Sequence, residues 1–300
     1  MEGKAGHMND QTDDDITAAM RALGEAARGA AASLAVASTD MKNAALTAGA
    51  EAIRASAPEI LAANDKDMDT AQGRDLSAAL LDRLELDDAR VEGMAKGLEE
   101  VAALPDPVGA VMAQWSRPNG LEIARVRVPL GVIGIIYESR PNVTADAGGI
   151  CLKSGNAAIL RGGSESFHSS TAIAGCLAQG LEQAGLPKGC IQLVPTRDRA
   201  AVGEMLTMTD CIDVIIPRGG RSLIERVSAE SRVPVIKHLD GNCHVYVHAA
   251  ADLDMARKVV LNAKMRRTGI CGAAETLLID EAVLESHLPP LLDDLAGAGC

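Results

Sequence analysis

Apolar residues in the first third of the chain recur at intervals of three and four, the spacing of amphipathic helices. No alternation of apolar and polar residues interrupts this region. The second predicted helix ends before Pro58, and the third begins at Ser77, a residue type that caps helices. The predicted helices are residues 16–34, 40–57 and 77–104.

The pattern changes after residue 114. The turn sequence PNG is followed by strict alternation from Glu122 to Val128. Alternation of this kind is typical of a strand with one exposed face, and a preceding Asn-Gly turn favours a hairpin. The sequence therefore predicts a β-hairpin over residues 115–128.

Short apolar runs then alternate with helical segments. The runs are residues 132–137, 157–160, 191–194, 213–216, 233–238, 244–247 and 275–279. The helical segments are residues 144–155, 169–185, 197–207, 221–230 and 252–267, with one helix or a pair of helices over 280–300. Buried strands that alternate with helices predict an α/β fold, with a parallel sheet covered by helices on both faces.

Composition narrows the class of protein. A chain of 300 residues suggests about two domains, and an aromatic content of 1% predicts an aliphatic core. No apolar run is long enough for a transmembrane helix, and the first 15 residues do not resemble a secretory signal. Residues 1–15 are expected to be a disordered arm or a leftover of cloning. Seven cysteines without a disulfide pattern favour the reducing cytoplasm.

The charge is distributed unevenly. The net charge of −12 argues against nucleic acid as the main partner. Residues 125–267, however, contain 18 Lys or Arg against 13 Asp or Glu. A cationic middle region could bind small anionic ligands, and the alternative is that the acidic remainder is only a solvated helical surface.

Three strand-to-helix junctions combine glycine or asparagine with arginine, and such junctions can bind anions through free helical N–H groups. The first contains Arg140 and Asn142. The other two are Arg161, Gly162, Gly163, Ser164 and Glu165, and Arg218, Gly219, Gly220 and Arg221. No GxGxxG motif is present, so an ordinary Rossmann dinucleotide site is not supported. The alternative for each Gly-Gly pair is a simple tight turn.

Cys271 stands apart from the other cysteines because it lies between Gly269 and Gly272, in a loop before a predicted strand. Flanking glycines would let a substrate approach the sulfur, so Cys271 is a candidate nucleophile. The alternative is a small buried hydrophobe, a role assigned here to Cys151, Cys176, Cys190 and Cys211. Cys243 and His244 do not predict a metal site or a Cys–His pair, because adjacent residues of an extended segment point apart.

Residues 127–166, 235–247 and 262–279 closely resemble the γ-glutamyl phosphate reductase branch of the aldehyde dehydrogenase superfamily. The resemblance implies an aldehyde dehydrogenase-like α/β fold whose C-terminal part, beyond residue 300, is missing from this chain. The implied domains are an NADP-binding domain of residues 16–114 and 129–243, an oligomerisation hairpin of residues 115–128, and the start of a catalytic domain at 244–300.

The resemblance also implies a reaction, the NADPH-dependent reduction of γ-glutamyl phosphate to glutamate 5-semialdehyde in proline biosynthesis. Cys271 matches the family's nucleophile, and Asn142 matches the asparagine that stabilises the oxyanion. Residues 159–166 match the segment that binds the adenosine ribose, and residues 217–224 match the segment that binds the pyrophosphate; the cofactor-binding residues implied within them are 161–165 and 218–221. A homo-oligomer and a functional link with glutamate 5-kinase are expected. Candidate cations for the anionic substrate are Arg140, Lys153, Arg266 and Arg267.

One departure from the superfamily bears on the reaction. His238 replaces the glutamate that activates water in oxidative aldehyde dehydrogenases. A reductase has no use for this base, because water would hydrolyse the thioester before hydride reached it. Two alternatives stay open: an oxidative aldehyde dehydrogenase of the same fold, and a cofactor-binding fragment without catalytic activity.

Overall fold

The structure, a computed structural model, describes residues 7–73, 78–238, 241–268 and 270–300. The chain divides into two compact units, Met1–Lys237 and His238–Cys300. Ser77 and Gly269, which the sequence analysis singled out, lie outside the described residues. The sequence-based boundary after Cys243 falls a few residues later than this division, and the functional assignment of the domains stays a prediction.

The first unit begins with five helices. They are α1 (His7–Leu34), α2 (Thr39–Ala55), α3 (Ala57–Gln72), α4 (Ala78–Leu84) and α5 (Asp88–Ala103). Helix α1 includes residues 7–15, and the expectation that residues 1–15 are a disordered arm or a leftover of cloning stays a prediction. No proline or glycine occurs between His7 and Leu23, so nothing in the sequence stops the helix from extending towards the N-terminus.

The predicted helix over residues 77–104 is two helices rather than one. The chain leaves α4 at Leu84 and starts α5 after Asp87. The Asp87 side chain accepts a hydrogen bond of 2.7 Å from the backbone N–H of Arg90, which caps the amino end of α5. The apolar periodicity continues across this break, and periodicity alone therefore did not reveal it.

The hairpin consists of β1 (Val111–Ser116) and β2 (Glu122–Val126), which pair antiparallel with Trp115 opposite Ile123. It starts at Val111, earlier than the predicted residue 115. All β1 residues are exposed, including Met112 and Trp115. The sequence preceding Trp115 lacks a clear alternation because neither face of β1 is buried within the chain.

The parallel sheet of the first unit has four strands in the order β5-β4-β3-β6. Its strands are β3 (Val132–Tyr137), β4 (Ala157–Arg161), β5 (Ile191–Leu193) and β6 (Val214–Arg218). The helices between and after them are α6 (Val143–Lys153), α7 (Phe167–Gln183), α8 (Ala200–Thr207) and α9 (Arg221–Glu230). The α/β fold with a parallel sheet is confirmed. The strand predicted at 233–238 is only an isolated bridge, from Val235 to Ile215.

Helices cover both faces of this sheet and enclose two apolar clusters. Leu46, Leu98 and Leu177 belong to the cluster that contains helices α2, α5 and α7. Met20 and Met205 belong to the cluster that contains α1 and α8. The prediction of an aliphatic core is confirmed, because Tyr137 is the only aromatic side chain among the largest fully buried ones described.

The second unit contains β7 (Cys243–Val247), α10 (Leu253–Met265), β8 (Ala274–Ile279) and α11 (Leu284–Gly297). Strands β7 and β8 pair parallel. A small core forms from residues of β7, α10 and α11, namely Val247, Ala256, Val260 and Leu291. The loop before β8 contains Cys271.

Candidate active site

The carboxyl ends of β3, β4 and β6 meet at one edge of the parallel sheet. The strand register pairs Ile136 with Arg161 and Tyr137 with Arg218, so the residues that follow these strands lie at the same level. A cavity of about 550 Å³ opens at this edge. Four residues predicted to bind cofactor line it, namely Arg161, Gly163, Ser164 and Glu165. Ligands of open α/β sheets bind at this edge.

Arg161 is buried at the end of β4, with 6% of its surface exposed. Its Nη1 donates to the carbonyl oxygen of Gly162, and its Nη2 donates to the carbonyl oxygen of Arg197 at 3.0 Å. The guanidinium thus connects β4 to the loop after β5. Burial lowers the pKa of Arg161. Its Nε is buried without a hydrogen-bond partner, so one donor at the cavity is available to a ligand.

The third junction lies at the amino end of α9, and the Glu138 side chain is hydrogen-bonded there. Glu138 Oε2 accepts a hydrogen bond of 2.7 Å from the N–H of Gly220. Gly219 lies so close that an added Cβ would collide with the Glu138 carboxylate. Arg218 and Arg221 are exposed, and Arg221 pairs with Glu225 one turn along the same helix at 2.7 Å.

A second carboxylate fixes the loop after β3. Glu165 Oε1 accepts hydrogen bonds from both the backbone N–H and the hydroxyl of Ser139, at 2.6 and 2.8 Å. Ser139 has a φ of +45°, in the left-handed region. Glu165 therefore turns towards a loop of the protein, an orientation that its position in the sequence did not predict.

Three arginines of the cavity lining escaped the sequence analysis: Arg197, Arg199 and Arg226. The guanidinium of Arg197 lies 4.9 Å from the ring centre of Phe167, and its Nη2 is 3.1 Å from His168 Nε2. The sequence pattern predicts a helix that includes Arg197 and Arg199, whereas α8 begins only at Ala200. A signal was present, since both arginines follow a buried strand like the residues of the other junctions.

Asn142 lies immediately before α6, in the turn that follows β3. Its amide Nδ2 donates to Asp146 Oδ2 at 2.9 Å, within the first turn of the same helix. The start of α6 is also connected to the end of β3, because the hydroxyls of Tyr137 and Thr144 lie 2.7 Å apart. The amide that the resemblance assigns to the oxyanion thus has a fixed place on the first unit.

Cys271 lies in an exposed loop of the second unit. The loop passes close to Gly241, where an added Cβ would collide with the carbonyl oxygen of Cys271. The thiol of Cys243 lies 3.5 Å from the same oxygen and donates to it. The neighbouring Gly272 has open space around its Cα. This arrangement leaves the Cys271 side chain accessible, as a nucleophile requires.

Four other cysteines behave as predicted. Cys151, Cys176, Cys190 and Cys211 are buried, which confirms their assignment as small core residues. Burial raises the pKa of the Cys151 thiol to about 12 and that of Cys190 to about 11. These thiols stay protonated at neutral pH and are poor nucleophiles.

Comparison with known proteins decides the family. The family model described as "Aldehyde dehydrogenase family" matches residues 2–297. The chain belongs to the aldehyde dehydrogenase family. Within that family it is similar to a protein named γ-glutamyl phosphate reductase from Rhodospirillum rubrum, with 65% identity over 98% of this chain and 69% of the relative. A protein of the same name from Paramagnetospirillum magneticum is 62% identical over 96% of this chain and 68% of the relative.

Solved structures agree. The crystal structure of γ-glutamyl phosphate reductase from Thermotoga maritima matches with a TM-score of 0.86 and 41% identity, over 93% of this chain and 68% of that one. The enzyme of the same name from Saccharomyces cerevisiae matches with a TM-score of 0.69 and 34% identity, over 93% of this chain and 70% of that one. The aldehyde dehydrogenase-like fold predicted from the sequence is confirmed.

Aldehyde dehydrogenases use a nicotinamide cofactor, and the cavity of the first unit fits such a group. Its volume lies within the usual range of small-molecule sites. The unpartnered Arg161 Nε provides a buried donor, and arginines from three segments provide positive charge for phosphates. Among the described residues, no group of three or more His, Cys, Asp or Glu side chains is arranged to hold a metal ion.

The four cations predicted to bind substrate have different surroundings. Lys153 is buried, and its ammonium donates to Asn43 Oδ1 at 2.5 Å and to the carbonyl oxygen of Ala102 at 2.8 Å. Burial also lowers its pKa. The described contacts of Lys153 are thus with α2 and with the end of α5, and its assignment to substrate binding stays a prediction that these contacts do not support. Arg266 and Arg267 are exposed in the second unit, and Arg140 is half-buried beside Asn142 in the first.

No helix among the described residues has both the length and the apolar run that crossing a bilayer requires.

Proposed function

We propose that the protein carrying this chain reduces γ-glutamyl phosphate to glutamate 5-semialdehyde and phosphate with NADPH, the second step of proline biosynthesis from glutamate, in the cytoplasm. The observation that carries the proposal is the 65% identity to a protein named γ-glutamyl phosphate reductase over nearly all of this chain. The exposed thiol of Cys271 supports it, since the four thiols assigned to the core are buried.

Cys271 is proposed as the nucleophile. Its thiolate attacks the γ-acyl carbon, the bond from that carbon to the phosphate oxygen breaks, and phosphate leaves with the electron pair. The product is a thioester on Cys271. Bound NADPH would supply the hydride to the thioester carbon. The C–S bond then breaks, which releases the aldehyde and returns the electron pair to the Cys271 sulfur. Among groups on the chain, the Asn142 amide is proposed to stabilise the oxyanion. Its Nδ2 carries two N–H groups, so one can stay on Asp146 while the other donates to the oxyanion. Such donors contribute about 3 to 4 kcal/mol.

A preference for NADPH over NADH is proposed from the arginines of the cavity. Arg161, Arg197 and Arg199 all line it, and a 2′-phosphate needs cationic partners of this kind. An acidic side chain directed at the same ribose would oppose the phosphate. Glu165 lines the same cavity, and its Oε1 accepts hydrogen bonds from Ser139, which favours an orientation of the carboxylate towards that loop over one towards the ribose.

The substrate and the assembly complete the proposal. Arg140, Arg266 and Arg267 remain candidates for the carboxylate and phosphate of the substrate. The exposed β1–β2 hairpin, with Met112 and Trp115 in contact with solvent, is proposed to join copies of the chain into a homo-oligomer. A functional link with glutamate 5-kinase is proposed because an acyl phosphate must be formed by phosphoryl transfer to a carboxylate.

The test uses the reverse reaction, the NADP-dependent oxidation of glutamate 5-semialdehyde with and without inorganic phosphate. Phosphate dependence is expected for a reductase of this type, and an oxidative aldehyde dehydrogenase would not need phosphate. Cys271→Ser should abolish activity and leave NADPH binding unchanged. Cys243→Ser, which removes the neighbouring thiol, is the matched control and should retain activity. Activity of Cys271→Ser within about tenfold of the parent would exclude the nucleophile role.

A further inference from the structure

Ser139 has an unusual backbone conformation. Among the described residues it is the only one other than glycine with a positive φ, at +45°. This region is unfavourable for residues with a Cβ, and such conformations persist only where the surrounding structure imposes them. Ser139 is also buried, with 6% of its surface exposed. Something in the structure must therefore hold it.

Glu165 provides the constraint. One carboxylate oxygen, Oε1, accepts from both polar groups of Ser139 that can donate, the backbone N–H and the hydroxyl. Glu165 lies in the short 3₁₀ turn Ser164–Ser166 between β4 and α7, so the contact connects two neighbouring strand-to-helix junctions. A charged acceptor that takes two hydrogen bonds at once is a strong local restraint.

The restrained residue lies three positions before Asn142. The segment between them leads directly into α6. A hydrogen bond between the hydroxyls of Tyr137 and Thr144 connects the residues on either side of this segment, and the hydrogen bonds from Ser139 to Glu165 hold its start. A change of φ at Ser139 would rotate the chain that follows, and with it the turn that contains Asn142. The orientation of this turn thus depends on a carboxylate from the other junction.

We propose that Glu165 is a positioning residue, whose carboxylate holds Ser139 in the left-handed conformation and thereby orients the Asn142 amide for the reaction. This inference rests on the proposed function, which assigns Asn142 to the oxyanion. It gives Glu165 a task different from a contact with the cofactor ribose. The two tasks predict different kinetics, because a positioning residue affects the maximal rate and a ribose contact affects cofactor affinity.

The first experiment compares Glu165→Gln with Glu165→Ala. Glutamine keeps an oxygen that can accept both hydrogen bonds, so its kcat should stay within about threefold of the parent. Alanine removes the acceptor, and its kcat should fall at least about tenfold, since small displacements of catalytic groups have large effects. The Kd of NADPH, measured by fluorescence titration without substrate, should not rise by more than about twofold in either variant, because a positioning residue makes no contact with the cofactor.

A second pair of variants separates positioning from general destabilisation. Glycine adopts a positive φ without strain, so Ser139→Gly combined with Glu165→Ala should recover part of the kcat lost by Glu165→Ala alone. If Glu165→Ala does not fold, as judged by circular dichroism, Ser139→Ala replaces it. That variant loses only the hydroxyl bond, and its kcat should fall by a smaller factor with unchanged Kd.

Three results would overturn the inference. Weaker NADPH binding in both Glu165 variants would show a direct cofactor contact. An unchanged kcat in Glu165→Ala, or in Ser139→Ala where that variant replaces it, would show that the restraint is irrelevant to catalysis. A parent without phosphate-dependent oxidation would refute the proposed function itself, and the inference with it, before any variant is compared.

Discussion

The cofactor cavity of the first unit and the Cys271 loop of the second differ in the number and kind of hydrogen bonds that fix them. At the cavity of the first unit, Glu138, Glu165 and Arg161 each bind a backbone group of a neighbouring loop. The loop of Cys271 in the second unit is exposed, and the contacts described for it involve mainly its backbone, with Gly241 and Cys243 against the Cys271 carbonyl.

This difference corresponds to two chemical tasks. A cofactor site has to be preorganised, because rigid donors bind phosphates without losing further entropy. A nucleophile that forms and breaks a covalent bond needs access and freedom for its side chain, and only its backbone has to be fixed. Carboxylates bound to backbone groups and one buried arginine, Arg161, therefore mark the first region, and close backbone approach marks the second.

The largest expected effect is in thiol reactivity. At about pH 8 the thiolate fraction of a thiol with a pKa near 12 is about 1000-fold below that of an ordinary cysteine. Iodoacetamide should therefore modify Cys271 and leave Cys151 and Cys190 unmodified, as measured by peptide mass spectrometry. Since their pKa values are raised, these two thiols should gain reactivity only as the pH approaches about 11 to 12.

The same labelling in urea provides the control, because unfolding should expose all seven cysteines. Rapid modification of Cys151 in the folded protein would contradict the contrast between the two regions.

The second effect concerns the backbone around Cys271. In Gly241→Ala the new Cβ would collide with the Cys271 carbonyl, so the loop must move. A shift of this kind should lower kcat about 100-fold while NADPH binding stays normal. Gly297→Ala in the same unit, where a Cβ meets nothing, is the control. Steady-state kinetics of both variants decide the matter, and equal activities would show that the close approach is unimportant.

The third effect concerns the cavity. Arg197→Ala should raise the Kd of NADPH about tenfold and leave that of NADH nearly unchanged, because only NADPH carries the 2′-phosphate. Isothermal titration with both cofactors measures the two values. Lys188→Ala, which removes an exposed lysine paired with Glu182, controls for the loss of one positive charge. An equal loss for both cofactors would place Arg197 elsewhere on the dinucleotide.

The smallest effect concerns Glu138. Its carboxylate accepts a hydrogen bond from the N–H of Gly220 at the amino end of α9, where a pyrophosphate is expected to bind. Glu138→Gln removes the repulsion, so NADPH should bind about threefold more tightly at low salt. The gain should shrink as salt is added, since exposed charges are screened. Weaker binding at every salt concentration would mean that the carboxylate helps to hold the cofactor.

Much of the fold followed from periodicity alone. Strands β3 and β4 and the start of β6 are nearly continuous apolar runs because helices cover both faces of the sheet, and such runs are easily recognised. The break before α5 was missed because α4 ends at Leu84 and Asp87 caps the start of α5 without interrupting the apolar pattern. The extension of α1 to His7 was missed because a polar helical stretch has no periodic signal.

The site residues were predicted less completely than the fold. The side chains that contact one another at the site are far apart along the chain, so the sequence pattern does not reveal these contacts. Lys153 was a candidate for substrate binding because the substrate is anionic, yet Asn43, more than a hundred residues away along the chain, accepts a hydrogen bond from its ammonium. Arg197 belongs to the cavity only because α8 starts after it. The resemblance supplied Cys271 and Asn142, and their catalytic roles stay predictions until the variants above are measured.

The hairpin has a further use for experiment. Trp115 is the single tryptophan of the chain, and it lies on β1 with 41% of its surface exposed. Fluorescence excited selectively at the indole therefore reports the surroundings of the hairpin rather than the state of the aliphatic core. A blue shift of that emission with rising protein concentration would show that the hairpin becomes buried between copies of the chain. Denaturant unfolding followed by the same emission would not report the unfolding of the parallel sheet.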